Sequence, residues 1–175
     1  ANDNWFSIPA TMGVNTGKWY WEAECTNQTA NSNRIGVISE NSMQATQSAG
    51  INIHLGTTGQ YRGIGYHNNA LIYPGSGVSS SAYGLTYTDG DIIGILLNMD
   101  DGEISYTDNG STTSMGVAQD NIAVGGEYYF PAFSAYDTGA IWSCNFGGCP
   151  SFTISSGNAD ANGYGNFEYA VPSGY

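Results

Sequence analysis

From Trp19 to Cys25 the chain alternates without a break. Trp19, Trp21, Ala23 and Cys25 fall on one side; Tyr20, Glu22 and Glu24 fall on the other. A period of two places successive side chains on opposite faces of a strand, one to be buried and one to be wetted. Similar short runs, rich in β-branched and aromatic residues, recur along the whole sequence between turn residues. No window of helical length repeats apolar positions at three-to-four spacing without Gly or Pro breaking it, so no helix is expected. Further strands are expected over 34–39, 51–55, 60–66, 70–73, 91–99, 103–107, 128–136, 140–146 and 167–169. Ile92 to Leu97 is almost continuously apolar, which marks an inner strand covered on both faces. Asp101-Gly102 reads as a two-residue hairpin turn, and Asn109-Gly110 as a second tight turn. Segments 56–59, 74–81 and 111–114 read as loops. Segment 155–165, rich in Gly, Asn and Ala, reads as a mobile tether for the last strand. About ten short strands with turns between them make an all-β, two-sheet antiparallel β-sandwich. No internal repeat or linker divides the 175 residues, so one domain is expected.

Charge narrows the partners. Three Lys plus Arg stand against 15 Asp plus Glu, a formal net charge of −12. Lys18, Arg34 and Arg62 cannot build a basic patch, which argues against nucleic acid and against docking on anionic lipid. No apolar run is long enough to span a bilayer, so membrane insertion is not expected. Thirteen Tyr, six Phe and four Trp argue against disorder despite the polarity. The chain opens on Ala1 without a signal-like segment, as a mature product or a piece of something larger would. Cys25, Cys144 and Cys149 are too few for a disulfide framework. Cys144 and Cys149 could close a small loop, but free thiols are the simpler expectation. With two histidines and no CxxC, neither a zinc site nor a cofactor is expected.

Five blocks in collinear order resemble the SPRY domain. Gly17-Lys18-Trp19-Tyr20-Trp21-Glu22 is similar to its opening signature, and Arg34-Ile35-Gly36-Val37 to its next strand. Asp89-Gly90-Asp91 with Ile92 to Asp100, the hairpin from Gly102 to Gly110, and Tyr129-Phe130-Pro131-Ala132 with Asn145-Phe146-Gly147 complete the series. The resemblance implies a lectin-type (concanavalin A-like) sandwich with its core over about 17–147 and a C-terminal extension over 148–175. Phe167 to Tyr175 resembles the ending of SPRY modules in structural proteins of bacteriophage, marine phage especially. The chain departs from the pattern at Tyr106-Thr107-Asp108, where an aromatic-aromatic-basic run is usual. Only Asn4 to Ile8 is left to form a leading strand.

The chemical candidates are then weighed. Asp100, Asp101 and Glu103 cluster as calcium ligands might, but the hairpin accounts for the same residues. Glu22 and Glu24 share a strand face like a glycosidase pair; Glu22, however, belongs to the resembled signature, so no catalytic residue is assigned. His54 and His67 have no nucleophile motif near them. Trp19, Trp21, Phe130, Trp142 and Phe146 are expected in the core.

Family members bind short peptides through loops at one sandwich edge, and the corresponding stretches are 27–33, 61–66 and 73–83. They combine Tyr with small polar residues, the chemistry of adaptable binding loops. Tyr61, Arg62, Tyr66, His67, Tyr73 and Tyr83 are therefore the candidate ligand-binding residues. The expected function is a non-enzymatic adhesion module of a phage virion, extracellular, recognising a host-surface protein or glycan. Alternatives are a structural module gripping another virion protein, or a glycan hydrolase. Homo-oligomers would form through a parent chain.

Overall fold

Eleven strands form two antiparallel sheets in a computed structural model that describes residues 5–28, 32–49, 54–56, 62–75, 77–136 and 139–175. One sheet has six strands, in the order β1 (Phe6–Pro9), β10 (Tyr129–Ala135), β3 (Asn33–Ser39), β4 (Gly63–His67), β5 (Asn69–Tyr73) and β6 (Ser81–Thr86). The other has five, in the order β11 (Ile141–Asn145), β2 (Lys18–Asn27), β7 (Ile92–Asn98), β8 (Glu103–Asp108) and β9 (Val117–Gln119). The all-β sandwich expected from the period-two runs is what forms.

The alternation decides which side chains meet between the sheets. Trp21, Ala23 and Cys25 of β2 face Ile35 and Val37 of β3, with Ile93, Ile95 and Leu97 of β7 in the same core cluster. β7 is buried from Ile93 to Asn98, as its unbroken apolar run requires. Tyr66, Tyr83, Tyr87 and Tyr106 pack in this core, with ring centroids 5.2–5.9 Å apart for the contacting pairs. A buried tyrosine brings apolar area but needs a partner for its hydroxyl. Tyr83 donates to the Gly116 carbonyl at 2.8 Å, and Tyr87 to that of Asn33 at 2.9 Å.

Both outer faces are also covered. On the six-stranded sheet, Ile38 and Ala132 pack with Leu55 under Met43 and Ala45 of α1 (Glu40–Ala49). On the five-stranded sheet, the C-terminal segment lies over Glu22.

Several expectations need correction. A helix exists where none was expected. It has only two partly buried apolar side chains among those described, too few to show a period. Local bonds sustain it instead. Ser39 accepts from the Ser42 amide at 3.4 Å, and the Glu40 and Asn41 amides are satisfied by the Tyr128 carbonyl and the Glu127 carboxylate. The expected strand over 51–55 falls partly outside the described residues, and Leu55 and Gly56 form a turn. Likewise β4 begins at Gly63, and residues 60 and 61 lie outside the described residues.

Edge strands β6 and β9 were not read from the sequence; neither carries a strong alternation. The β7–β8 connection is a four-residue turn, not two, because Asn98 pairs with Glu103. Asn109-Gly110 does make a tight turn, with φ of 48° and 75° and Asp108 bridged to Ser111. Trp19 and Phe146, expected in the core, are 47% and 54% exposed. Segment 167–169 is no strand beyond one bridge, Phe167 to Asn158, because its next two amides are spent on a side chain.

Candidate functional site

The candidate residues that the structure describes do not form one surface. Tyr61 lies outside the described residues. Tyr66 is fully buried in β4; its hydroxyl donates to the Leu85 carbonyl and accepts from the Leu85 amide at 3.0 Å. It is core, not loop. His67, the last residue of β4, is also buried, and its Nδ1 accepts from the Asn69 amide at 3.1 Å. Burial, and then the nearby Arg34, push the His67 imidazole down to about 4. Tyr83 is half-buried, with its hydroxyl also accepting from the Tyr106 amide at 3.1 Å. Tyr73 is half-buried and lies face-on to Arg34, whose guanidinium carbon is 3.7 Å from the ring centroid.

Arg34 is the least conventional of these neighbours. It is 6% exposed, yet among the described residues no carboxylate pairs with it. Its guanidinium lies between the Tyr73 and Trp5 rings, 4.1 Å from the latter, and donates to the Leu55 carbonyl. Aromatic faces replace the missing anion. Burial pushes Arg34 down to about 10, so it remains charged at neutral pH.

Arg62 opens onto a cleft. The cleft measures about 320 Å³ and lies where the two sheets meet. Its floor is Ile64 of β4 and Tyr129 of β10. Pro74, Gly75 and Val78 line it from the β5–β6 connection, and Gln119, the last residue of β9, with Asn121 and Ile122 beyond it, lines it too. The Tyr129 hydroxyl, and then Glu127 at 4.0 Å, hold the Arg62 guanidinium above its ordinary pKa. Backbone bonds fix the base of the arm: the Ser39 amide donates to the Arg62 carbonyl, and the Arg62 amide to Ser42 Oγ at 2.8 Å. An apolar floor with one held cation and two amide side chains suits a short segment carrying an apolar group and an anion.

Sequence reasoning found Arg62 and the 73–83 loop. It missed Gln119, Asn121 and Tyr129, which only the sandwich brings beside them. Of the expected loop at 27–33, residues 29–31 lie outside the described residues. Gln28 there bonds Asn68 and Tyr87, at the end of β4 away from Arg62.

Glu22, half of the glycosidase-like pair, is fully buried by its own fold. Oε1 accepts from Tyr20 Oη (3.0 Å) and the Tyr169 amide (2.8 Å); Oε2 accepts from Asn145 Nδ2 (3.2 Å) and the Glu168 amide (2.8 Å). That carboxylate is committed to structure. Cys25, Cys144 and Cys149 are free thiols, and the loop after β11 is closed by Ser151 bonding Cys144 backbone instead. Among the described residues no group of three His, Cys, Asp or Glu is placed to hold a metal ion, and no helix is long and apolar enough to cross a membrane.

Comparison with known proteins agrees with the topology. The chain is similar in structure to the SPRY domain of human HERC1, at 18% identity and a TM-score of 0.60, over 78% of each chain. The family model for the SPRY domain matches residues 18–148, from the first residue of β2 past the end of β11. With two antiparallel sheets in this order and that match over most of its length, the chain belongs to the SPRY domain family.

Proposed function

We propose that this SPRY domain is a non-catalytic binding module carried on a phage virion, in a tail fibre or a head or tail appendage, facing a host-surface protein or glycan. SPRY domains are generally protein–protein interaction modules, and the finer assignment is supported by the phage-like ending from Phe167 to Tyr175. The observation that carries the binding role is the Arg62 cleft. In a chain of net charge −12, most of the surface repels an acidic ligand. Lys18 does not line the cleft, and Arg34 is buried. Arg62, half exposed and 4.0 Å from Glu127, is the cation that lines it, and receives an anionic group above an apolar floor that takes its neighbour.

The test has two parts. Immunogold electron microscopy with antibody to the domain locates it on particles, and label at fibre tips or tail ends is expected. Arg62→Gln is expected to weaken binding to host-envelope fractions by roughly tenfold, the loss of one charge-assisted hydrogen bond, with the thermal melt unmoved. Particles without label, or unchanged binding by the variant, would overturn the reading.

A second reading, a structural module gripping another virion protein, rests on the edge strand β1. Phe6 and Ile8 alternate there on one side, 50% and 70% exposed, with Met12 beyond them 76% exposed. An apolar edge with free backbone groups invites pairing with another chain. Label spread over the capsid and tight binding to a virion protein, with none to cells, would favour it.

A further inference from the structure

The segment over Glu22 is bonded more to itself than to the domain beneath. Asn158 and Phe167 exchange backbone hydrogen bonds of 2.7 Å in both directions. Glu168 accepts from the Ser155 amide at 2.5 Å and from the Ser155 hydroxyl. Asp160 Oδ1 accepts from the amides of Asn162 and Tyr164 at 2.9 and 2.8 Å. Residues 155–169 thus form a small closed unit, joined to β11 through residues 146–154, of which Ser151 is bonded back to the Cys144 backbone.

Its hold on the sheet is concentrated in a few atoms. Asn145, Glu22, Gly94 and Thr107 are register partners across β11, β2, β7 and β8, and form a row across the outer face. Gly94 keeps that row open: a Cβ there would lie 2.3 Å from Thr107 Oγ1 and 2.8 Å from Tyr20 Oη. Into this seat the unit inserts two consecutive amides, those of Glu168 and Tyr169, one to each oxygen of Glu22. Asn145 Nδ2 donates to the Asn166 carbonyl at 2.9 Å. The Phe167 ring meets Tyr20 edge-on at 5.0 Å, and Tyr169 packs against Gly110.

We infer that this face is a peptide seat, filled in the monomer by the chain's own Phe167-Glu168-Tyr169, and that a second copy of this chain fills it by tail exchange. Every copy carries the same aromatic–acidic–aromatic triplet. The bonds inside 155–169 are kept whichever copy it docks on, and the bonds to Glu22 are remade identically. Exchange then costs the rearrangement of the linker, with its Ser151–Cys144 bonds, and the entropy of bringing two chains together.

Light scattering after gel filtration of the full chain, across a wide concentration range and after partial unfolding and refolding, tests this. A dimer that grows with concentration and dissolves in excess synthetic peptide spanning residues 155–172 is expected. Glu22→Gln has an impaired seat and a sound tail; Phe167→Ala has the reverse. Neither alone should dimerise, and their mixture should, through the one sound pairing. A chain that stays monomeric under all these conditions overturns the inference. So does a dimer that the peptide leaves intact, or that both variants form alone. Where a variant fails to fold, the peptide displacement on the unaltered chain still decides.

Discussion

Glu22 and Tyr66 show what a buried polar atom demands. Among the described residues no cation pairs with Glu22, and four donors stabilise its charge instead. Glu22→Gln keeps the shape but turns one acceptor into an NH₂ facing an amide donor. The expected cost is about 2–3 kcal/mol, for a lost charged hydrogen bond and a donor left unmet. Urea unfolding should show it as a lower midpoint, and hydrogen exchange as faster exchange at the Glu168 and Tyr169 amides. Tyr66→Phe is the milder probe. The ring still fills the space between Tyr83, Tyr87 and Tyr106, but the Leu85 amide loses its acceptor. A loss of about 1–2 kcal/mol is expected by the same measurement, with no change in slope.

At the scale of elements, local chemistry and tertiary support trade places. β2 and β7 declare themselves by alternation and by apolar run, and both form where expected. Helix α1 does not declare itself: its start depends on Ser39 and on groups brought from residues 127 and 128, nearly ninety positions away in sequence. Gln44 bonding Glu40 at 3.1 Å adds one turn of local help. Ser39→Ala removes the cap and the 2.9 Å bond to the Ser42 hydroxyl. It should cost about 1 kcal/mol and loosen the 40–45 amides in hydrogen exchange, while those of β2 keep their protection. Segment 167–169 fails as a strand for the opposite reason. Its pattern is adequate, but a buried carboxylate takes the amides that a neighbouring strand would need.

At the scale of the molecule, two buried ionisable groups oppose each other in acid. Burial, and then Asp91, push the Asp108 carboxyl up from 3.8 to about 6. The native state therefore binds that proton more tightly than the unfolded chain does. Asp108 adds stability as pH falls from about 6 towards 4, and that contribution is lost as pH rises through 6. His67 is pushed down from 6.5 to about 4, so the native state resists its proton. Its contribution is present above 6.5 and is lost as pH falls through 4. The two slopes run against each other over one window, and stability should change little there on their account. Asp108→Asn should uncover a loss on acidification, and His67→Gln a gain, each up to about 1.4 kcal/mol per pH unit. Urea midpoints of each variant against the unaltered chain, at pH 4 to 7, read the difference directly.

Alternation, the apolar run and the turn residues were enough, by themselves, to determine an all-β sandwich, its inner strand and the Asn109-Gly110 turn. Those properties depend on near neighbours in the chain, through the two-residue period and the backbone freedom of glycine. The use of each tyrosine was not legible. A Tyr-Gly-rich stretch has the same composition whether it lines a core or a loop, and only the packing of the two sheets buried Tyr66 while leaving Arg62 at a cleft. The same holds for Glu22. Its place on the strand was readable, but two of its four donors lie 146 and 147 residues away and a third 123, and contacts that distant in sequence exist only once the chain has closed on itself.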